Sequence, residues 1–188
     1  RGSCAYSFRQ RQFRPMTDPD PSRQLSEFTP KPGTSKAFRE ALGCFGTGVT
    51  IVTALNHGAP VAMTANSFSA VSLDPPLVLW CPARKSQRHD WMVEARHFSI
   101  HVVAEDQEDL AARFARTGDD FDGVDWVKGP EGVPHLAGCL ARFDCHRHAV
   151  HDGGDHSIIV GHVAHAAYRA GQGLIFKRGQ YGGFAGPI

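Results

Sequence analysis

Residues 47–66 read Thr-Gly-Val-Thr-Ile-Val-Thr-Ala-Leu-Asn-His-Gly-Ala-Pro-Val-Ala-Met-Thr-Ala-Asn, and this stretch decides the fold class. Residues 48–55 are rich in β-branched side chains, which pack well on a pleated strand. The Asn56-His57-Gly58 tripeptide is a turn signal of the hairpin type, because Asn and Gly adopt positive φ angles at low cost. Residues 61–66 return as a second strand. The stretch therefore predicts a β-hairpin in an antiparallel sheet.

Further strands are predicted on the C-terminal side of this hairpin. Residues 77–81 are uniformly apolar, as in a buried strand, whereas residues 139–151 carry polar side chains at even positions and predict one polar outer face. Because the strands follow one another along the chain, we expect a mainly β fold, an antiparallel, Greek-key-like β-barrel with peripheral helices. The other predicted elements are strands at 98–103, 156–168 and 174–177, helices at 35–45, 86–95 and 106–116, and a Gly/Asp/Pro-rich loop at 117–135.

The composition is that of an ordinary globular domain. The 188 residues are 41% hydrophobic and 21% charged, with a formal net charge of +1. This charge gives no field that would attract nucleic acid or an anionic membrane, and no apolar run approaches the roughly 18 residues of a membrane span. The five cysteines are odd in number and lack C-x-x-C spacing. We therefore expect a cytoplasmic protein with no nucleic-acid or membrane partner.

The amino terminus differs in composition from the rest of the chain. Residues 1–15 carry four arginines and no acid ahead of Met16, and they are predicted to be a cloning remnant or an arginine-rich leader. Residues 16–35 are proline-rich and predict a flexible arm. The folded domain is then expected over residues 36–188.

The candidate ligand-binding loop lies at residues 64–69, where a strand runs into a loop dense in small hydroxyl and amide side chains. Backbone groups there are not all used by sheet pairing, so they can face the polar edge of a flat heterocycle while Ser and Thr bind phosphate. The alternative is that these hydroxyls cap turns, which is their commonest role. The residues alone leave both interpretations open.

Three segments around this loop, residues 47–53, 63–69 and 71–79, together resemble the signature of the flavin reductase family. These are FMN-binding split-barrel proteins that serve as small components of two-component flavin monooxygenases. The resemblance extends from about Phe38 to Tyr181 and includes Phe98-Ser99-Ile100-His101-Val102-Val103, Leu110-Ala111-Ala112-Arg113-Phe114 and Gly154-Asp155-His156.

The resemblance implies an FMN-binding split barrel that forms a homodimer, with the flavin near the subunit interface. It further implies an NAD(P)H:flavin oxidoreductase, which transfers a hydride from NADH or NADPH to FMN or FAD. The reduced flavin would then diffuse to a flavin-dependent monooxygenase as the partner.

The resemblance also implies the flavin-binding residues. Lys85 and Ser86, with help from Arg84 or Gln87, would meet the phosphate, because a cation beside hydroxyls suits a phosphate group. The alternative for Lys85 is a solvated helix start. Phe114 would extend the pocket, or it is a core residue of its helix. The residues implied to line the ring and ribityl chain are Thr47, Gly48, Val49, Met63, Thr64, Ala65, Asn66, Ser67 and Phe68.

Two further residues are implied on the nicotinamide side. His156 follows a Gly-Gly-Asp turn and would orient the nicotinamide or its ribose by hydrogen bonding. Its alternative role is a hydrogen bond to the turn itself. Tyr181 lies in a closing segment that resembles the family's, but Gly182 and Gly183 stand where relatives commonly carry a basic residue. Residues 80–83, Trp-Cys-Pro-Ala, also depart from the relatives near the implied phosphate contacts.

Three competing motifs were weighed against this interpretation. His146 and His148 share one strand face and could bind a metal, but no carboxylate follows at the spacing of cupin oxygenases, and His151 points the other way. The acidic residues between Asp120 and Glu131 lack the glycine of a calcium-binding EF-hand loop. The Gly46-Thr47-Gly48 and Gly171-Gln172-Gly173 motifs lack the third glycine of a dinucleotide-binding fingerprint.

Three functions therefore remain. The first is the flavin reductase, in which no side chain is certain to be catalytic, although His156 is a candidate. The second is a non-catalytic flavin-binding module on the same barrel. A histidine-ligated metal oxygenase is the third and least favoured.

Overall fold

A computed structural model describes residues 24–184 of the chain. The predicted remnant at 1–15 and residues 16–23 of the predicted arm lie outside the described residues. The described chain falls into two units, residues 24–38 and residues 39–184. In the first unit the hydroxyl of Thr34 accepts a 2.8 Å hydrogen bond from the amide of Lys31 and closes a turn before the first helix.

Three α-helices and twelve strands occur in the described residues. The helices are α1 (Ser35–Leu42), α2 (His89–Glu94) and α3 (Glu108–Arg116), with 3-10 turns at Glu105–Gln107 and Pro130–Gly132. The strands are β1 (Thr47–Gly48), β2 (Thr50–Asn56), β3 (Ala59–Ala65), β4 (Ser69–Leu73), β5 (Pro76–Trp80), β6 (His97–Val102), β7 (Trp126–Lys128), β8 (Pro134–Leu136), β9 (Ala141–Gly153), β10 (His156–Tyr168), β11 (Ile175–Lys177) and β12 (Gln180–Gly182).

The predicted first hairpin is formed by β2 and β3. Asn56 pairs with Ala59, and the two turn residues His57 and Gly58 have φ angles of 50° and 83°. Positive φ at both central residues is what a type I′ turn requires, and this turn matches the twist of the flanking strands.

Seven of the strands form one antiparallel sheet in the order β3-β2-β6-β9-β10-β5-β4. Its two edge strands, β3 and β4, are joined by only three residues, Asn66 to Phe68. Three linking residues span at most about 14 Å between the strand ends, so the sheet must curl until its edges approach. The edges remain unpaired with each other, which gives the split barrel expected from the sequence.

Two clusters of buried side chains lie against this sheet. The first cluster includes Trp80, Phe98 and Ile159, and the second includes Phe114 and Leu174. Strand β2 contributes to both, because Val52 and Ala54 belong to the first cluster whereas Ile51 belongs to the second. Alternation along a single strand therefore separates the barrel interior from the layer under α3.

The structure differs from the prediction at several elements. Helix α2 is shorter than the predicted residues 86–95. No residue of α1 is buried, although its apolar spacing is helical. Strands β4 and β12, and the β7–β8 hairpin within the predicted loop 117–135, were not predicted.

The polar face of β9 is also not wholly exposed as predicted. His146 and His148 are exposed, but Asp144 is 8% exposed. Its carboxylate accepts a 2.7 Å hydrogen bond from Ser99 and one of 3.1 Å from Nε of Arg142. Nε2 of His135 lies 2.9 Å from the same carboxylate without hydrogen-bond geometry. Buried charge of this kind requires such partners.

No helix among residues 24–184 combines the length and the apolar character needed to cross a bilayer.

Candidate functional site

The three residues that join the barrel edges lie at the centre of the predicted site. The hydroxyl of Ser67 accepts a 2.9 Å hydrogen bond from the amide of Cys81 and donates a 3.2 Å bond to the carbonyl of the same residue. The ring of Phe68 stacks on Phe143, with centroids 5.6 Å apart and planes 19° apart. The amide of Asn66 is exposed and has no hydrogen-bond partner within residues 24–184.

Two side-chain hydroxyls that are predicted to line the ligand site form hydrogen bonds to other parts of the protein. Thr64 donates a 2.7 Å hydrogen bond to the carbonyl of Ala111 on α3, and Ser67 is occupied by Cys81. Thr50 likewise donates a 2.7 Å bond to the carbonyl of Ala65. The hydroxyls therefore hold the loop in shape, and the side chain of Asn66 is the polar side chain of the loop that stays exposed. These bonds join residues 14 to 47 positions apart in the sequence, so the hydroxyls of Thr64 and Ser67 hold the loop through tertiary contacts and do not cap local turns.

A second segment meets this loop from the end of β5. The amide of Arg84 donates to the carbonyl of Asp155 at 2.9 Å, and Ala83 forms a β-bridge with His156. The guanidinium of Arg84 binds Asp152 at 2.9 Å and the carbonyl of Gly154 at 3.0 Å. Arg84 is thereby committed to the turn, and its hydrogen bond is the main cause that lowers the pKa of Asp152. The side chain of Lys85 is exposed and forms no hydrogen bond or ion pair within residues 24–184.

His156 lies on this turn with 42% of its side chain exposed. Its Nδ1 is 2.7 Å from a carboxylate oxygen of Asp155, and this hydrogen bond lowers the pKa of that carboxyl. An ionised carboxylate can only accept, so the neutral ring carries its proton on Nδ1. Nε2 then presents a lone pair to a donor such as an amide or hydroxyl group. The ring of His156 can therefore bond to the turn through Nδ1 and still offer Nε2 as an acceptor.

The remaining predicted residues form a second group around β1. The amide of Val49 bonds to the carbonyl of Leu174, and its side chain is buried. Oγ1 of Thr47 is buried and has no hydrogen-bond partner among the described residues. Gly48 is exposed. The Thr50–Ala65 pair joins this group to the loop, because it links β2 directly to the end of β3.

Tyr181 and Phe114 lie against the same buried cluster as Val49. Tyr181 pairs with Phe176 across β11 and β12, with ring centroids 5.3 Å apart. Burial, and then the charge of Glu108, raise the pKa of its phenol. Phe114 is 0% exposed and packs on Phe121 at 4.9 Å, so it lies in the core, and a flavin contact by its ring is a prediction only.

Sequence reasoning missed Arg88, which connects the predicted phosphate segment to α3. Its guanidinium donates to the carbonyls of Phe114 at 2.7 Å and Ala115 at 3.1 Å, at the end of that helix. The amide of Arg88 donates weakly to the hydroxyl of Ser86 at 3.3 Å. A basic residue two positions after a predicted phosphate-binding serine carries no signal of this capping role.

The two best-formed cavities of the described residues lie elsewhere. The larger, of about 340 Å³, is bordered by Ala104, Leu140 and Arg169, and the smaller, of about 120 Å³, by His97 and Glu131. The predicted flavin residues line neither of these two cavities. No group of three or more His, Cys, Asp or Glu side chains in residues 24–184 is arranged to hold a metal ion.

Comparison with known proteins identifies the family. The family model "Flavin reductase like domain" matches residues 42–185. The chain is 55% identical over 158 residues to the FMN reductase (NADH) SmoA of Agrobacterium fabrum, covering 84% of this chain and 91% of that protein. It is 45% identical over 150 residues to the reductase subunit HsaB of a flavin-dependent monooxygenase from Rhodococcus jostii, covering 79% and 77%.

Solved structures show the same similarity. The NADH:FAD oxidoreductase SgcE6 of Streptomyces globisporus, in complex with NAD and FAD fragments, aligns with a TM-score of 0.78 and 40% sequence identity. The alignment covers 85% of this chain and 98% of that one. The matched region contains the split-barrel strands and every segment of the site described above. The chain therefore belongs to the flavin reductase family.

Proposed function

We propose that this protein is an NAD(P)H:flavin oxidoreductase, which transfers a hydride from NADH or NADPH to FMN or FAD and supplies reduced flavin to a partner monooxygenase. The relatives named as an NADH-dependent FMN reductase, an NADH:FAD oxidoreductase and a monooxygenase reductase subunit support this activity. The observation that carries the proposal is the convergence of the Asn66–Phe68 loop, the Cys81–Ser86 segment and the turn at His156 at the split of the barrel.

The described residues fit a flavin. Thr47 has a buried hydroxyl without a partner, and Asn66 has an exposed amide, so both can bond to polar atoms of the ring or ribityl chain. Lys85 is an exposed cation next to Ser86, the pair that a phosphate group favours. Within residues 24–184 the hydroxyl of Thr47 and the side chain of Asn66 have no hydrogen-bond partner, which is costly for the buried hydroxyl unless a ligand completes it.

The chemistry of hydride transfer belongs to the two cofactors, and the protein supplies binding, orientation and electrostatics. The loop at Asn66 holds the flavin, and His156 presents an accepting Nε2 toward the nicotinamide. Tyr181 borders the proposed cofactor site on the opposite side. Since reacting atoms must lie about 3–3.5 Å apart, the rigid hydrogen bonds of Ser67, Thr64 and Arg84 serve to keep these elements in register.

We also propose that the protein is a homodimer in which the second copy completes the flavin site. The edge strand β4 continues directly from the loop at Phe68, and its residues Val71 and Leu73 are 49% and 97% exposed. Apolar side chains of this kind beside an open ligand surface are typical of a protein interface. Light scattering on purified protein tests this proposal, because a monomeric mass at micromolar concentration would contradict it.

Cytoplasmic localisation is proposed on the state of the thiols. All four cysteines among the described residues, Cys44, Cys81, Cys139 and Cys145, are free. Free thiols persist in reducing compartments. Fractionation of the native host cells tests this, and recovery in an exported fraction would contradict it.

Mixing the purified protein with NADH and FMN, and following absorbance at 340 nm, tests the activity. Catalytic loss of NADH, with turnover many times the enzyme concentration, is the expected outcome. Repetition with NADPH and with FAD assigns the preferred pair. Retention of bound flavin without NADH or NADPH oxidation would favour a non-catalytic flavin-binding module instead.

A further inference from the structure

A buried contact connects helix α2 to the strand that begins at His156. His89 is the first residue of α2, and its side chain is 10% exposed. Its Nδ1 lies 2.7 Å from a carboxylate oxygen of Asp90, and its Nε2 lies 2.9 Å from Oγ of Ser157. Ser157 directly follows His156 in β10 and is 3% exposed.

The carboxylate of Asp90 determines which atom donates in each of these two hydrogen bonds. Because ionised Asp90 can only accept, the neutral ring of His89 carries its proton on Nδ1, and Nε2 accepts from the hydroxyl of Ser157. The connectivity is that of an Asp-His-Ser triad. Ser157 is buried, however, so its hydroxyl cannot reach a substrate, and the arrangement orients a strand instead of attacking a bond.

The position of Ser157 in β10 links its contact with His89 to the neighbouring residue His156. Successive side chains of a strand point to opposite faces, so Ser157 points inward where His156 points outward. The amide of Ser157 bonds to the carbonyl of Pro82 at 3.1 Å, and its hydroxyl bonds to His89. Both the backbone and the side chain beneath His156 are thereby fixed. Among the described residues, the side chain of His156 itself bonds only to Asp155.

We propose that His89 is a positioning residue for flavin reduction, which fixes the orientation of His156 through Ser157, with Asp90 selecting the tautomer of His89. This inference rests on the proposed function in one respect, namely that His156 faces the nicotinamide. Arg88, the preceding residue, anchors the same helix start to α3. The start of α2 is consequently held at two points, and only the His89 contact leads to the nicotinamide side.

Two substitutions of His89 separate positioning from general packing. The amide of His89→Gln reaches the position of Nε2 and can still bond to Ser157, whereas that of His89→Asn reaches only the position of Nδ1. We expect His89→Asn and Ser157→Ala to lower kcat/KM for NADH about tenfold, because small misplacements in a reacting pair are costly. We expect His89→Gln to stay within about threefold of the parent. The Kd for FMN, from fluorescence titration, should change by less than about twofold in all three.

A readout without cofactors keeps the inference independent of activity. Imidazole ¹H–¹⁵N spectra of the flavin-free protein, with His156→Gln to assign the signals, report the environment of His156. Its signals should shift in His89→Asn and Ser157→Ala and remain in place in His89→Gln. Unshifted signals in the first two variants would overturn the proposal, whether or not the protein reduces flavin. Shifted signals in a protein that never oxidises NADH or NADPH would retain the positioning and reject the proposed function.

Asp90 provides a variant with little risk to folding, since its side chain is 83% exposed. Asp90→Ala releases the tautomer of His89, and we expect a fall in kcat/KM for NADH of about threefold with a shift of the His156 signals. Glu94→Ala, at the exposed far end of the same helix, is the matched control and should change neither. Equal behaviour of the two variants would contradict the role assigned to Asp90 and His89.

Discussion

The guanidinium of Arg88 caps the C-terminal end of the helix that carries Phe114, with a 2.7 Å hydrogen bond to the carbonyl of Phe114 itself. A second bond of 3.1 Å reaches the next carbonyl, that of Ala115. The last carbonyls of a helix have no partner within it, and a cation there also interacts favourably with the helix dipole. One side chain thus joins the segment after β5 to the helix beneath the second core cluster.

Substitution of Arg88 by Met should weaken this junction while retaining a long apolar stem. Two charge-assisted hydrogen bonds to carbonyls are lost, and we expect the free energy of unfolding to fall by about 1–3 kcal/mol. Because the segment with Lys85 loses its tie to α3, the Kd for FMN should also rise. Urea unfolding and fluorescence titration measure the two effects. Arg116→Met on the same helix is the control, and an equal loss in both variants would contradict the capping role.

Lys85 is expected to bind the flavin phosphate and not the ring. Lys85→Met should raise the Kd for FMN about tenfold, because one charge-assisted contact is lost, and leave the Kd for riboflavin unchanged, because riboflavin has no phosphate. Fluorescence titrations with the two flavins measure this difference. Lys128→Met removes an exposed cation from β7 and serves as the control. A similar loss of affinity for both flavins would show that Lys85 does not contact the phosphate.

The sequence was most informative where local chemistry determines the structure. The hairpin at residues 56–58 was predicted because Asn and Gly supply the positive φ angles that a two-residue turn needs. The long strand β10 was predicted with its observed bounds, His156–Tyr168. The family was indicated by the order of several short motifs, none of which is specific alone. Fold class and family are both confirmed.

The sequence was least informative where distant residues determine the environment. Strand β4 was missed because its side chains are exposed in a single chain and show no apolar pattern of their own. Asp144 was assigned to a solvated face, although Ser99 and Arg142 from neighbouring positions make its burial possible. The sequence left the hydroxyl of Ser67 open between a ligand contact and a turn cap, and its observed partner Cys81 is fourteen residues away. Such pairings depend on sheet register, which a single sequence does not reveal.

Gly161 in the middle of β10 should not tolerate a larger side chain. A Cβ atom there would lie 2.7 Å from Cζ of Phe98 and 3.1 Å from Cβ of Cys145, both in the buried core. We expect Gly161→Ala to lower the free energy of unfolding by about 1–3 kcal/mol, since overpacking forces buried neighbours to move. Gly182→Ala is the control, because no atom lies within 4 Å of its Cβ position. Urea unfolding should separate the two variants, and equal stability would contradict the close packing at Phe98.

His101 should make stability fall in mild acid. Its ring is 0% exposed, with Nδ1 3.1 Å from the carbonyl of Ile51 and Nε2 accepting a 3.1 Å bond from the amide of Leu136. Burial is the main cause that lowers its pKa from 6.5 to about 4. The unfolded chain therefore binds a proton that the native chain does not, so stability is full above pH 6.5 and declines as the pH falls toward 4. The shift corresponds to a loss of about 3 kcal/mol.

Urea unfolding at pH 7 and at pH 4.5 measures this loss, and a variant that cannot titrate isolates the contribution of His101. His101→Asn retains an amide that can donate to Ile51, and we expect it to be less stable at pH 7 but to lose less between the two pH values. His135, whose pKa is also lowered mainly by burial, is present in both proteins and acts in the same direction. Parallel losses in parent and variant would mean that His101 is not the buried group that resists protonation.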